Sequence, residues 1–240
     1  MTAMGKIFDL HSHILYGIDD GSQSIHDSLD MLKNAQIEGV HTIALTPHLL
    51  FDGTEENVRN IAIDRLSDIR KLTEENGLPL HVILGFEVMA DETILRRKNL
   101  RQYTIGQSSL ILFEMKKEFT PDFLDDIVMH LKNQNLIPVL AHPERYHDIL
   151  KMKVRLKELC DNGLYLQFNA SSIVGNSGRK NRHKAMTLIE SGLPFVLGSD
   201  AHSPLRPPLM KDAVLRLEAK IGLKKAKTAV STLPEILLQK

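Results

Sequence analysis

The chain has 240 residues, of which 30 are Lys or Arg and 30 are Asp or Glu, so its formal charge is zero. This balance argues against nucleic acid or an anionic membrane surface as a partner. No stretch has the roughly 18 apolar residues of a membrane-spanning helix, and the single cysteine, Cys160, excludes an internal disulfide and a thiolate-rich zinc cluster. We therefore expect a soluble, cytoplasmic protein with no membrane insertion.

The first predicted strand covers residues 6–10 and leads into His11-Ser12-His13, with Asp19-Asp20-Gly21 shortly after it. Two histidines separated by one residue project to the same side of an extended backbone, so they can bind one cation together. Imidazole with nearby carboxylate suits Mn, Fe or Zn. The pair alone is weak evidence, because this spacing also occurs in ordinary loops and cores.

A repeated helix, turn and strand pattern organises the rest of the chain. Four predicted helices end in a polar residue, a glycine and an apolar residue, and the glycines are Gly39, Gly77, Gly163 and Gly192. Glycine just past a helix supplies the left-handed residue that ends it, and Asn135 is predicted to do the same. A short β-rich run follows each of these five positions, at 42–45, 81–84, 136–140, 165–168 and 195–197.

With a further strand at 110–113, this gives seven strands that alternate with helices. Such alternation predicts an α/β fold with a parallel sheet, either a seven-stranded barrel or a doubly wound open sheet. The length suits one domain over residues 1–240, although two small domains are the alternative. Ser24, Thr54 and Thr120 are predicted to cap three of the helices.

The residues that follow the strands are polar and suited to metal binding. In parallel α/β folds the loops after the strands meet on one face, where active sites form. His41 and His81 precede strands and belong to the opposite face, while His26, His130, His147 and His183 fall in or near helices. The residues at the strand ends are His11, His13, His48, Glu87, Glu114, His142, Asn169, Asp200 and His202.

Five imidazoles and several carboxylates are more ligands than one ion uses, because a catalytic zinc needs about three from the protein. We therefore expect two or three ions. Glu87, which follows a central strand, is the best candidate for a carboxylate that bridges two of them.

Arg145 and Arg206 lie close in sequence to His142 and His202. Two guanidinium groups beside a metal cluster are suited to bidentate binding of a phosphate. The alternative is that each pairs with an acid such as Asp148 or Asp20. The combination favours hydrolysis of a phosphate ester.

These motifs resemble the polymerase and histidinol phosphatase (PHP) superfamily. The resemblance spans nearly the whole chain and is most specific at Ala141-His142-Pro143-Glu144-Arg145-Tyr146 and from Gly198-Ser199-Asp200 to Arg206-Pro207-Pro208. Within the superfamily, the chain most resembles the bacterial metal-dependent protein-tyrosine phosphatases of capsule and exopolysaccharide operons.

The resemblance implies a distorted (β/α)7 TIM-like barrel with usually manganese at its centre, and Fe, Zn or Mg are the other candidates. It assigns His11, His13, Glu87 and Asp200 to one ion; Glu87, Glu114 and His142 to a second; and Asp20, His48 and His202 to a third. Arg145 and Arg206 would bind phosphate. The implied reaction is hydrolysis of phosphotyrosine by metal-activated hydroxide, and the implied substrate is the tail of a partner tyrosine kinase that controls polysaccharide synthesis.

One segment departs from many such relatives, which carry basic residues after the histidine equivalent to His48. Here residues 49–53 are apolar and acidic, so an acid-flanked peptide would find less attraction there, although Leu49 and Phe51 could pack on the aromatic ring of the substrate. Two other functions stay open: a small-molecule phosphatase acting, for example, on histidinol phosphate, and a metal-stabilised protein that binds a kinase tail without hydrolysing it. The sequence does not indicate the oligomeric state.

Overall fold

A computed structural model describes residues 5–240, and residues 1–4 of the predicted domain lie outside the described part. The strands form two sheets with the orders β1-β2-β4 and β3-β5-β6-β7-β8-β9, and every pair of neighbours is parallel. The strands are β1 (Ile7–Asp9), β2 (Val40–Leu45), β3 (His48–Leu49), β4 (His81–Leu84), β5 (Glu87–Ala90), β6 (Leu110–Met115), β7 (Ile137–Ala141), β8 (Tyr165–Asn169) and β9 (Phe195–Gly198). The predicted parallel α/β architecture is confirmed.

Helices alternate with the strands along most of the chain. They are α1 (Ile25–Ile37), α2 (Glu55–Glu75), α3 (Pro121–Asn133), α4 (Lys153–Asp161), α5 (Ala170–Val174), α6 (Arg179–Glu190), α7 (Met210–Ile221), α8 (Leu223–Lys227) and α9 (Leu233–Leu237). Among the helices within residues 5–240, none is long and apolar enough to cross a bilayer.

Backbone hydrogen bonds join the edge strand β1 of the smaller sheet to the edge strand β9 of the larger one. The N–H of Leu10 donates to the carbonyl of Leu197 at 3.1 Å, and the N–H of Asp200 donates to the carbonyl of His11 at 2.8 Å. The residues just past β1 therefore lie beside the residues just past β9. Segments that are far apart in sequence thus bring their polar side chains to one place.

The strands at the centre of the larger sheet are buried on both faces. Leu110, Ile111, Leu112 and Phe113 of β6 are all fully buried. A continuous apolar run of this kind is typical of a parallel strand that is covered on both faces. A strand with alternating apolar and polar residues would place polar side chains in the core. This core fixes the positions from which the polar residues project.

The predicted helix ends are confirmed. Gly39, Gly77, Gly163 and Gly192 have φ between +62° and +98°, and Asn135 has φ of +59°. These are left-handed conformations, in which glycine and asparagine have the lowest steric cost.

The three predicted cap residues all occupy the N-cap position of their helices, and two of them make the capping hydrogen bond. The hydroxyl of Ser24 accepts from the N–H of Asp27 at 3.1 Å, and the hydroxyl of Thr120 accepts from the N–H of Phe123 at 3.2 Å. Thr54 is the N-cap residue of α2, as predicted, but its hydroxyl donates to the carboxylate of Asp52 at 2.6 Å and makes no capping hydrogen bond.

Strands β3 and β5 are not among the seven predicted strands. They are short, and Pro47 and Gly85-Phe86 separate them from β2 and β4, so the sequence reads there as loop. In the structure His48 pairs in register with Glu87 across these two strands. Two predicted metal ligands therefore lie on paired backbone, which holds them more firmly than free loops would.

Candidate metal centre

All nine predicted metal ligands meet at the end of the sheets where the backbone bonds join β1 and β9. They form four overlapping groups, and within each group the candidate ligand atoms lie within 4.8 Å of one another. The groups are His11, His13 and Asp200; His11, Glu87 and His142; His48, Glu87 and Glu114; and His13, Asp20, His48 and His202.

His11 and His13 form the buried floor of the centre. Their Nε2 atoms lie 3.0 Å apart, and each lies 3.5 Å from Oδ1 of Asp200. Burial lowers the pKa of His13, but the hydrogen bond to Asp19 and the nearby carboxylates of Asp200 and Glu87 outweigh it and hold the pKa well above its usual value. Two ring nitrogens that face each other beside a carboxylate therefore favour a positive charge between them.

Glu87 lies at the middle of the centre and is fully buried. Its Oε2 lies 3.1 Å from Nε2 of His11 and 3.1 Å from Nδ1 of His48, while its Oε1 lies 2.8 Å from Nε2 of His142. Burial raises the pKa of this carboxyl, but the surrounding imidazoles reverse the effect and bring the pKa well below its usual value. Glu87 is thus a carboxylate with histidines on both oxygens, which is the arrangement expected of a bridging ligand.

Glu114 and His48 lie on the side of Glu87 that is nearer solvent. Nδ1 of His48 is 3.2 Å from Oε1 of Glu114, and Nε2 of His142 is 3.8 Å from Oε2 of Glu114. Burial lowers the pKa of His48, but the adjacent carboxylates of Glu114 and Glu87 raise the pKa to about 10.

Asp20 and His202 form the rim. Oδ1 of Asp20 lies 3.5 Å from Nε2 of His48 and 3.4 Å from Nε2 of His202, and the ring of His202 stacks on that of His13 at 3.9 Å between centroids. The Asp20 side chain is 74% exposed. The rim residues therefore line the route by which a ligand reaches the buried floor.

The residues present fit a divalent cation. Within residues 5–240, Oε2 of Glu87, Oδ1 of Asp200 and Nδ1 of His142 are buried without a hydrogen-bond partner. A buried polar atom with no partner costs free energy, and a cation beside the two carboxylate oxygens would offset that cost. Imidazole with carboxylate is the donor set for Mn, Fe or Zn.

Gln167 was missed by the sequence analysis and Asp19 was noted only as a nearby carboxylate, whereas both residues orient the histidines. Asp19 accepts from Nδ1 of His13 at 2.7 Å, and the amide oxygen of Gln167 lies 2.8 Å from Nδ1 of His11. Burial raises the pKa of Asp19, but the hydrogen bond and charge of His13 prevail and lower the pKa to about 2. The polar Gln167 between the apolar residues Leu166 and Phe168 of β8 was the signal available for one of them.

Gln167 continues a buried chain of hydrogen bonds. Its amide nitrogen donates to the side-chain oxygen of Asn169 at 2.9 Å, and the amide of Asn169 donates to Oδ2 of Asp200 at 2.6 Å. His11 and Asp200 are therefore connected through β8. Asn169, which sequence analysis marked as a polar strand end, acts here on a predicted ligand rather than as one.

The backbone around the centre is unusual. His142 and Asp200 have φ of +32° and +52°, values that residues other than glycine rarely adopt and that occur most often at functional sites. Gly198 and Gly21 allow close packing, since a Cβ on Gly198 would lie 2.5 Å from Cβ of His11, and one on Gly21 would lie 2.2 Å from the carbonyl of His13.

Arg145 and Arg206 line one cleft of about 1000 Å³ beside the rim. We call it the substrate cleft, and it is also lined by Asp20, Asn169, Ser177, Asn181 and His202. Nη1 of Arg145 lies 2.9 Å from Oδ2 of Asp200, while Asp148, the alternative partner considered from sequence, pairs instead with Lys151 at 3.0 Å. Arg206 is exposed, so both guanidinium groups are accessible from the cleft.

The histidines set aside in the sequence analysis stay outside the centre. None of His26, His41, His81, His130, His147 and His183 joins the ligand groups found among residues 5–240. The prediction that Leu49 and Phe51 pack on a substrate ring is wrong. Both side chains are buried in the core, where Phe51 meets Tyr103 edge to face at 5.6 Å, and the neighbouring Leu50 is the exposed residue.

Comparison with known proteins finds relatives among tyrosine phosphatases. CapC of Staphylococcus aureus is 33% identical over 203 residues, which cover 84% of this chain and 79% of CapC. A solved structure from work on YwqE of Bacillus subtilis and CpsB of Streptococcus pneumoniae, described as metal-dependent tyrosine phosphatases, is 27% identical, with a TM-score of 0.87 over 97% of this chain and 94% of that one.

A zinc-containing histidinol phosphate phosphatase of Lactococcus lactis shares the fold, with a TM-score of 0.57 and 15% identity over 92% of this chain and 94% of that one. CapC and the structure from the work on YwqE and CpsB confirm the resemblance to bacterial metal-dependent protein-tyrosine phosphatases. The model of the capsular polysaccharide synthesis family CpsB/CapC matches residues 7–239, and the chain therefore belongs to that family.

Proposed function

We propose that this chain is a metal-dependent phosphatase that hydrolyses phosphotyrosine in proteins. The observation that carries the proposal is the convergence of five histidines and four carboxylates beside a cleft that holds two arginines. Membership of the CpsB/CapC family and the likeness to structures described as metal-dependent tyrosine phosphatases support the same reaction.

The nine clustered residues would hold two or three ions, for which manganese is our first choice and Fe, Zn or Mg the others. Such ions supply positive charge that polarises a phosphate and makes a water nucleophilic near neutral pH. Glu87 would bridge two of them, since its two oxygens face different histidines. We propose that the other ligands are divided among the ions in the way that the family resemblance implies.

Arg145 and Arg206 would bind the phosphate group. A guanidinium presents paired N–H donors that match two phosphate oxygens, and its charge stabilises the charge that develops as the ester bond breaks. A tyrosine ester suits this site, because its phenolate leaving group has a pKa of about 10 and needs less help from a proton donor than an alkoxide does.

For the protein substrate we propose the tail of a cytoplasmic tyrosine kinase that regulates capsular or exopolysaccharide synthesis. The family's connection with capsular polysaccharide synthesis supports this choice. We further propose that residues 1–240 form one domain whose strands make a distorted (β/α)7 barrel, which the bonds from β1 to β9 support.

The function is tested by comparing substrates on one manganese-loaded preparation with a measured metal content. We expect phosphotyrosine peptides to be hydrolysed with a much higher kcat/KM than histidinol phosphate, and p-nitrophenyl phosphate to be hydrolysed as well. A preference for histidinol phosphate would identify a small-molecule phosphatase. If p-nitrophenyl phosphate stays intact while a phosphotyrosine peptide binds, the chain is a non-catalytic binder.

A further inference from the structure

A second concave surface lies between α6 and α7, beside the substrate cleft. We call it the basic groove, and it has a volume of about 600 Å³. The apolar side chains of Ile173 and Met186 contribute to its lining, and its cationic and imidazole residues are Arg179, Arg182, His183, Arg216 and Lys220. It lies outside the metal centre, and the proposed reaction gives it no role.

The positive charge of the basic groove is not neutralised within the described chain. Glu190 is the one acid among the lining residues, and it pairs with Lys220 at 3.1 Å. Arg179, Arg182 and Arg216 are exposed, and none has an ion pair with a carboxylate of residues 5–240. Three guanidinium groups therefore face solvent on one surface of a chain whose total charge is zero.

Helix α6 carries part of this positive charge at positions that destabilise the helix. Its first turn holds Arg179 and Lys180 with no acid, and no side chain caps it. Cations near a helix N-terminus oppose the helix dipole, and like charges three or four residues apart, as in Arg179 with Arg182 and Lys180 with Lys184, repel each other. Charges that destabilise a helix without a compensating contact inside the fold are typical of a functional surface.

The basic groove and the substrate cleft share one wall. Ser177 and Asn181 line the cleft, while Arg179 and Arg182, which alternate with them along the chain, line the groove. A polypeptide that leaves the cleft over the start of α6 would enter the groove directly.

We propose that the basic groove binds an acidic segment beside the phosphotyrosine of the protein substrate. This inference rests on the proposed function and names the class of substrate. An extended acidic peptide fits because the groove is concave, has apolar lining for side chains and carries excess positive charge. It also supplies the attraction for acids that residues 49–53 lack.

The test uses the manganese-loaded full chain and two phosphotyrosine peptides of equal length, one with Asp and Glu on both sides of the tyrosine and one with Ser and Gln. We expect kcat/KM to favour the acidic peptide by on the order of tenfold at low salt, because complementary charge raises association rates. Replacing Arg179, Arg182 and Arg216 by Ser should bring this ratio close to one, mainly through KM.

A matched variant removes the same number of charges elsewhere by changing exposed Lys33, Lys71 and Lys98 to Ser, and it should keep the ratio. A neutral ratio in the unmodified protein, or an equal fall in both triple variants, would overturn the inference. Failure to hydrolyse either peptide would overturn the proposed function instead.

Binding of an unphosphorylated, fluorescent acidic peptide gives a measurement that does not need turnover. We expect its Kd to rise about tenfold in the groove variant, and the single change Arg216→Ser, on a different helix, should act in the same direction if the triple variant folds poorly. Unchanged peptide binding, or groove-dependent binding to phosphatidylserine vesicles without peptide binding, contradicts the proposal.

Discussion

The amide oxygen of Gln167 lies 2.8 Å from Nδ1 of His11, on the side of the imidazole that faces away from the other ligands. An amide oxygen only accepts hydrogen bonds, so Nδ1 must carry the proton. The lone pair of His11 is then on Nε2, which points to His13, Glu87 and Asp200. Gln167 thus selects the ring form in which His11 can bind a cation.

Replacing Gln167 by Leu should weaken metal binding about 10- to 100-fold, which is the usual effect of losing a group that orients a metal-bound histidine. Titration with Mn²⁺ against a chelator of known affinity measures the change. Gln36→Leu, on an exposed face of α1, is the matched control. Equal affinity in the two variants would show that Gln167 does not orient His11.

Glu87→Gln should reduce the number of bound ions rather than merely their affinity. The amide keeps the size of the side chain but removes the charge and one of the two acceptor oxygens that face His11, His48 and His142. Elemental analysis of purified protein, with activity measured on the same sample, counts the ions. The exposed Glu118→Gln serves as control. Full metal content in Glu87→Gln excludes a bridging role.

Arg145→Ala and Arg206→Ala should each lower kcat/KM for p-nitrophenyl phosphate about 10²- to 10³-fold, the usual cost of removing a group that stabilises transition-state charge. Arg→Lys at either position should recover part of the loss, because lysine keeps the charge but not the paired donors. Inhibition by inorganic phosphate should weaken in parallel. Normal kinetics in either alanine variant would remove that arginine from the phosphate site.

Removing the ions should lower the thermal stability as well as the activity. A ligand that binds only the folded state at 100 times its Kd adds about 2.7 kcal/mol. Melting temperatures with EDTA and with added Mn²⁺ measure the difference, and a glutamine variant of Glu87 should show a smaller one. An identical melting temperature in both conditions would mean that the folded chain does not bind the ion.

Cys160 should make stability fall at high pH. Burial raises the pKa of its thiol from 9.0 to about 12. The unfolded chain therefore loses this proton from about pH 9, while the folded chain keeps it, so the stabilisation present below pH 9 is lost as the pH rises from 9 to 12. Chemical unfolding at several pH values should show less of this loss in Cys160→Ala. Rapid reaction of the folded protein with a thiol reagent at pH 8 would contradict the burial.

The sequence predicted well which residues come together, because these residues follow strands with clear apolar runs. His142 and Asp200 could be placed at the ends of β7 and β9 from local pattern alone. The pairing of His48 with Glu87 could not be predicted in this way. Strand β3 has only two residues, and it pairs with β5 only in the assembled sheet.

Orienting contacts were beyond the sequence for a different reason. Gln167 and His11 are 156 residues apart, and nothing local says which buried glutamine meets which ring. Asp19 and Asp20 are adjacent acids with opposite roles in the geometry, one buried against His13 and the other on the rim. The course of the backbone through the turn at residues 17–22 decides which of the two acids is buried and which is exposed.

Gly198 limits which protein scaffolds could hold a site of this kind. A methyl group there would lie 2.5 Å from Cβ of His11, so any side chain at this position pushes the first ligand out of place. Transplanting the nine ligands onto another scaffold would therefore fail without this glycine and Gly21. We expect a chain with all nine proposed ligands but a larger residue at either position to be unable to bring them together in this arrangement.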